Sequence, residues 1–122
     1  MGKAIVEEKS YAFALRIIKA YKYLTENKRE FVLAKQLLRC GTAVGALCQE
    51  AEYAQSRADF LNKMNIALKE ANETKYWLNP LKDSEYIDLD SYNSIITDCK
   101  ELIKLLASIV KTTKNTLNNN AK

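Results

Sequence analysis

With 122 residues the chain is the size of one compact domain, since two separate cores would leave each of them marginal. Three glycines and one proline are too few for a many-stranded barrel or sandwich, and the absence of histidine removes Ser-His-Asp triads, Cys-His dyads and Glu-x-x-His di-iron sites. The net charge is a modest +4, and no catalytic residue, metal site or cofactor site can be assembled from this composition.

The first helical segment spans roughly residues 4–26, where Phe13, Ala14, Ile17, Tyr21 and Leu24 recur at three- and four-residue steps. Thr25-Glu26-Asn27-Lys28 ends it, and Asn27 with Glu30 predicts a capping box that opens a second helix reaching about Ala54. The core stripe of that helix is Ala34, Leu37, Gly41, Val44, Cys48 and Ala51. Ser56 with Asp59 marks a second helix start, followed by Phe60, Met64, Ala67, Ala71, Thr74, Leu78 and Leu81 in strict 4-3 alternation. Pro80 comes near the end of this helix, and the polar run Lys82-Asp83-Ser84-Glu85 is the expected exit loop. Asp88 is the expected cap of a fourth helix with Ile95, Cys99, Leu102, Leu106, Ile109 and Thr113 on its apolar side. Long helices joined by short breaks predict an all-α, up-down-up-down antiparallel four-helix bundle over residues 1–117, with residues 118–122 as a frayed polar tail.

Cys40, Cys48 and Cys99 are an odd set with no C-x-x-C spacing, which predicts free, buried thiols in the reducing cytoplasm. Lys3, Glu7, Glu8 and Lys9 interrupt any secretory signal, and no apolar run approaches the roughly 20 residues of a membrane span.

Two glycines lie inside the second helix, in Gly41-Thr42-Ala43-Val44-Gly45-Ala46, where each costs up to about 1 kcal/mol relative to alanine. Their small-x-x-x-small spacing predicts a close helix-helix approach, not a phosphate loop. On the third helix Ile66, Glu70, Glu73 and Trp77 form a second stripe, with Arg39 the expected partner of the two carboxylates and Glu50 a further member of the network. The charge is unevenly placed: residues 1–39 hold nine basic and four acidic side chains. Lys9, Arg16, Lys19 and Lys22 project opposite Phe13, Ile17 and Tyr21, while Lys28, Lys35 and Arg39 share a narrow arc of the second helix. These seven are candidate phosphate contacts, flanked by Tyr11 and Tyr23, which have faces on which bases could stack.

Three strings carry a resemblance: Lys9 to Ile18, Lys35 to Ala46 with Glu50-Ala51, and Asp59-Phe60 with Ile66 to Leu78. Together they closely resemble the bacterial four-helix-bundle proteins encoded in intervening sequences of large-subunit ribosomal RNA genes and often labelled ribosomal-protein-like. That family is similar in turn to the accessory variability determinants of diversity-generating retroelements. Cys40 and Ala43 stand where serine is usual, and Leu47 where asparagine is common. The resemblance implies a non-enzymatic bundle that assembles into a homo-oligomeric ring, a pentamer. Through the retroelement relatives it also implies RNA or DNA and a reverse transcriptase as partners. Arg39, Gly41, Gly45, Glu50, Glu70, Glu73 and Trp77 are then packing or assembly positions. The expected function is a nucleic-acid-associated accessory protein, the competing one a protein-protein scaffold whose basic face is merely solvated.

Overall fold

The 4-3 stripes become the walls of one core. The computed structural model describes residues 2–121, with side chains from 5 to 119, as four helices and, among those residues, no strand. They are α1 (Gly2–Glu26), α2 (Val32–Glu52), α3 (Arg57–Asp83) and α4 (Leu89–Ala121). Each helix touches its chain neighbour, and α4 closes the square against α1; neither diagonal pair meets. The short connections make sequential neighbours antiparallel, as expected for an up-down-up-down bundle.

Every predicted stripe residue of α2 is buried, as are Met64 through Leu81 of the α3 seam. On α1 the buried line is Val6, Ser10, Phe13, Ile17 and Leu24, so a serine occupies a core position. Its hydroxyl donates to the Glu7 carbonyl at 3.1 Å, just as Thr74 and Thr113 bond back to Glu70 and Ile109. Along the 33-residue α4 the buried line slips from Ile109 to Val110. A straight α-helix drifts by about 20° per heptad from a strict seven-residue repeat, and this slip is that drift. The helix also runs on to Ala121, so the polar tail at Asn118 and Asn119 is exposed helix, with no glycine or proline there to end it, while Lys122 lies outside the described residues.

Two of the three predicted helix starts form as expected. Ser56 Oγ accepts from the Asp59 N–H at 3.0 Å, and Asp88 Oδ1 accepts from the Ser91 N–H at 2.7 Å. That backbone hydrogen bond is the main reason the Asp88 carboxyl titrates below its ordinary value. The Asn27 capping box does not form. Arg29 adopts a left-handed conformation (φ 55°) and α2 begins only at Val32, with Glu30 Oε1 accepting from the Ala34 N–H at 2.9 Å. Lys28 therefore lies in the loop and not on α2. Pro80 sits inside α3, whose last turn closes in a Schellman pattern, with Tyr86 N–H bonded to Leu81 O and Glu85 left-handed (φ 63°). Both reversals use charged residues where glycine is usual, while the glycines of α2 meet a different need.

That need is a close approach of α1 and α2 within one chain. A Cβ added at Gly41 would lie 2.7–3.0 Å from three side-chain carbons of Ile17, which is fully buried. One added at Gly45 would lie 3.2 Å from the Ser10 carbonyl oxygen.

All three thiols are buried, and burial raises their pKa, that of Cys99 from 9.0 to about 12. Cys99 Sγ donates to the Ala71 carbonyl at 3.4 Å, tying α4 to α3.

Gly41→Ala should lose about 1–3 kcal/mol in urea unfolding despite its better helix propensity, because the branched Ile17 side chain has no free direction to yield; an unchanged or raised midpoint would contradict the notch. The native thiols should resist alkylation near neutral pH and react on unfolding. Because the folded pKa is raised, the contribution of Cys99 is complete below 9.0 and declines as pH rises toward about 12, so the melting temperature should fall across that window. A flat alkaline profile in the native chain, matching that of Cys99→Ala, would show no linkage.

Candidate functional site

The seven basic residues singled out by the sequence are divided by the fold into two groups. Lys9, Arg16 and Arg39 are committed to carboxylates of the same chain. Lys9 pairs with Glu101 of α4, a hydrogen bond that raises the Lys9 pKa. Arg16 donates to Asp98 Oδ2 at 2.6 Å, to Ser94 Oγ at 2.9 Å and to the Ser94 carbonyl at 3.2 Å. The α1 face opposite Phe13 and Ile17 is thus not uniformly solvated, since a square bundle places α4 beside its Lys9–Arg16 edge. A phosphate would have to displace Asp98 or Glu101 to use either cation.

Arg39 realises the network expected on the α2–α3 side. Its guanidinium binds Glu73, which raises its pKa, reaches Glu70 Oε1 at 3.4 Å and donates to Gln36 Oε1 at 3.2 Å. Trp77 Nε1 donates to the same Glu73 carboxylate at 3.3 Å, and Tyr76 stands edge-on to the indole. The arginine is half-exposed while Glu70 and Glu73 are more sheltered, so this is a shallow interhelical clamp. Glu50 is not part of it. It lies three turns further along α2, about 16 Å from Arg39 at 1.5 Å per residue, exposed and without an ion pair among the described residues.

The remaining candidates, Lys19, Lys22, Lys28 and Lys35, are exposed and none forms an ion pair among the described residues, although Lys28 lies near enough to Asp88 to help lower its pKa. They cluster around the end of the bundle formed by the C-terminus of α1, the following loop and the start of α2. Beside them the α1–α4 seam, the most open of the four, widens into a cleft of about 540 Å³. Its floor reaches Leu37 and Leu78, and its rim carries Lys19 and Tyr23 opposite Asp88 and Asp90. Charges of both signs line this cleft, so it does not form an anion cradle.

A second feature of α1 was not read from the sequence. Tyr11, Leu15 and Ile18 are 65%, 51% and 37% exposed. At i, i+4 and i+7 they share one apolar stripe on the helix surface. The i, i+4, i+7 spacing is present in the sequence, but periodicity alone does not distinguish an outward apolar stripe from the edge of a core stripe. Among the described residues, no group of three or more His, Cys, Asp or Glu is placed to hold a metal ion, and no helix is long and apolar enough to cross a membrane.

The model of the 23S rRNA-intervening sequence protein family matches residues 2–108. The chain belongs to that family. A crystal structure of a family member from Bacteroides thetaiotaomicron VPI-5482, described as a protein of unknown function from the S23 ribosomal protein family, superposes with a TM-score of 0.89. It is 56% identical to this chain and covers 91% of it, while 99% of that structure's own length is matched. No curated protein matches. The superposition shows that this family member has the same fold as the chain.

The strap between α1 and α4 is open to measurement. Its partners retain 39% and 47% exposure, so a double-mutant cycle on Arg16→Met and Asp98→Asn should give a coupling of about 0.2–1 kcal/mol at low salt. That coupling should shrink in about 1 M salt; zero coupling at low salt would remove the strap.

Proposed function

We propose that this chain is a non-enzymatic, self-associating helical bundle that binds nucleic acid through an electrostatic surface at the α1–α2 end. The observation that supports this reading is the cluster of four exposed lysines without ion pairs, Lys19, Lys22, Lys28 and Lys35. Lysines that are already paired gain little by meeting a phosphate, whereas each free one that neutralises a phosphate releases a counterion. The family's description names the intervening sequences of 23S rRNA, which makes a structured RNA the first partner to examine. A reverse transcriptase enters this reading only through the resemblance to the retroelement accessory proteins.

Self-association is supported by the α1 stripe of Tyr11, Leu15 and Ile18, since exposed apolar side chains arrayed along one helix face mark contact surfaces. It is not supported through Gly41, Gly45, Arg39, Glu70 or Glu73, which are engaged between helices of one chain. A ring, a pentamer on the resemblance, would repeat the lysine cluster and let weak contacts add. The same stripe favours the second reading, a protein scaffold that binds no nucleic acid.

One pair of measurements separates them. Binding of a structured RNA should weaken roughly 100-fold between about 50 and 200 mM salt if four phosphates are neutralised. The combined Lys19→Glu, Lys22→Glu variant should lose that binding. Sedimentation should show an oligomer that Leu15→Glu dissociates. An oligomer with no RNA affinity at low salt selects the scaffold, and a stable monomer removes self-association.

A further inference from the structure

The ion pairs between α1 and α4 use up carboxylates of α4, and this changes the character of the rest of that helix. Asp98 and Glu101 face α1, whereas Lys100, Lys104 and Lys111 lie about 200–240° around the axis from Asp98, on the outward flank that leans toward α3. All three are exposed and none forms an ion pair among the described residues. Beyond Glu101 the helix has no acidic residue at all. The row is straight, because it rides on one uninterrupted helix, and spans about 16 Å at 1.5 Å per residue. Lys75 of α3 adds a charge at the same edge, close enough to act on Cys99.

We propose that this flank of α4 is a contact surface for the sugar–phosphate backbone of a nucleic-acid duplex, a second surface that rests on the function proposed above and lies apart from the α1–α2 lysines. What the row lacks identifies its partner. The large exposed apolar residues lie on α1 to α3, in the loops beside them and at Leu89, and none lies along the lysine row. A protein interface would need such anchors at its centre, and an interfacial membrane helix would need them to insert. Single-stranded nucleic acid would need aromatic faces for stacking, and base readout would favour arginine forks. Lysines separated by Ala107 and Ser108 on a rigid rod offer charge at fixed intervals and nothing else, which suits a duplex recognised by its phosphates.

The test uses the whole chain and a short RNA duplex of about two helical turns, with binding followed by fluorescence anisotropy across a salt series. Replacing Lys100, Lys104 and Lys111 together by glutamine keeps helix propensity and removes three charges. The slope of log affinity against log salt should become shallower by about 2–3, and affinity at about 100 mM salt should fall at least tenfold, with an unchanged melting temperature. A control variant replaces Lys19, Lys22, Lys28 and Lys35 by glutamine. If only the control loses affinity, the α4 surface is overturned and the proposed function stands. If only the α4 variant loses affinity, the α4 surface is supported and the α1–α2 surface is not. Tighter binding of a single strand of the same length, with the same dependence on the three lysines, overturns the duplex assignment. If the native chain binds no duplex at low salt, both readings fall.

Discussion

The Ile17 side chain fills the notch left by the missing Cβ of Gly41, and the rest of the bundle is arranged around that contact. With Gly45 against the Ser10 backbone one helical turn away, it draws α1 closely onto α2. A helix pulled to one neighbour leaves the other seam less filled, and the α1–α4 seam is the most open of the four. Long polar side chains span it. Lys9 and Arg16 reach across to Glu101, Asp98 and Ser94, and below the cleft the core residues Leu37 and Leu78 come near the surface. The two glycines of α2 thus set the α1–α2 approach, while on the other side of α1 the charges of Lys9 and Arg16 are spent across the seam to α4.

The consequence is a redistribution of the basic surface. Residues 1–39 carry the positive excess in the sequence, yet three of their cations are neutralised within the fold. The acids that neutralise Lys9 and Arg16 come from α4, whose own Lys100, Lys104 and Lys111 form no ion pair among the described residues. Net charge is unaltered, but its location shifts from one helix to two separate surfaces, the α1–α2 end and the α4 flank. A partner guided by electrostatics responds to the exposed, unpaired charges and not to the sum along the chain.

Most of the architecture was legible because it depends on periodicity. Buried stripes at 4-3 spacing need only the geometry of a single helix, so Ala34 to Ala51 and Met64 to Leu81 could be assigned without knowing the neighbours. The Ser56 and Asp88 caps were legible for the same reason, since both bonds close within one turn. The Asn27 cap failed because a left-handed Arg29 lengthened the loop, a choice made by the path the chain takes between α1 and α2. Of the candidate site, the Arg39 clamp on Glu70 and Glu73 was readable because two carboxylates between Ile66 and Trp77 need a partner and Arg39 lies in the small-residue part of α2. The exclusion of Glu50 was within reach as well, since Glu50 and Arg39 share α2 and eleven residues at 1.5 Å per residue put them about 16 Å apart.

By itself, then, the sequence determined the helices, their apolar faces, the free thiols and the two glycines that require a close approach. These are local properties of spacing and size. Only the tertiary structure decided that the glycines serve α1 rather than another chain, that Lys9 and Arg16 are paired, and that α4 carries a row of free lysines. Each of those is a relation between side chains from different helices. Such relations depend on which edge of each helix the bundle turns toward its neighbour, and no periodicity within one helix encodes that.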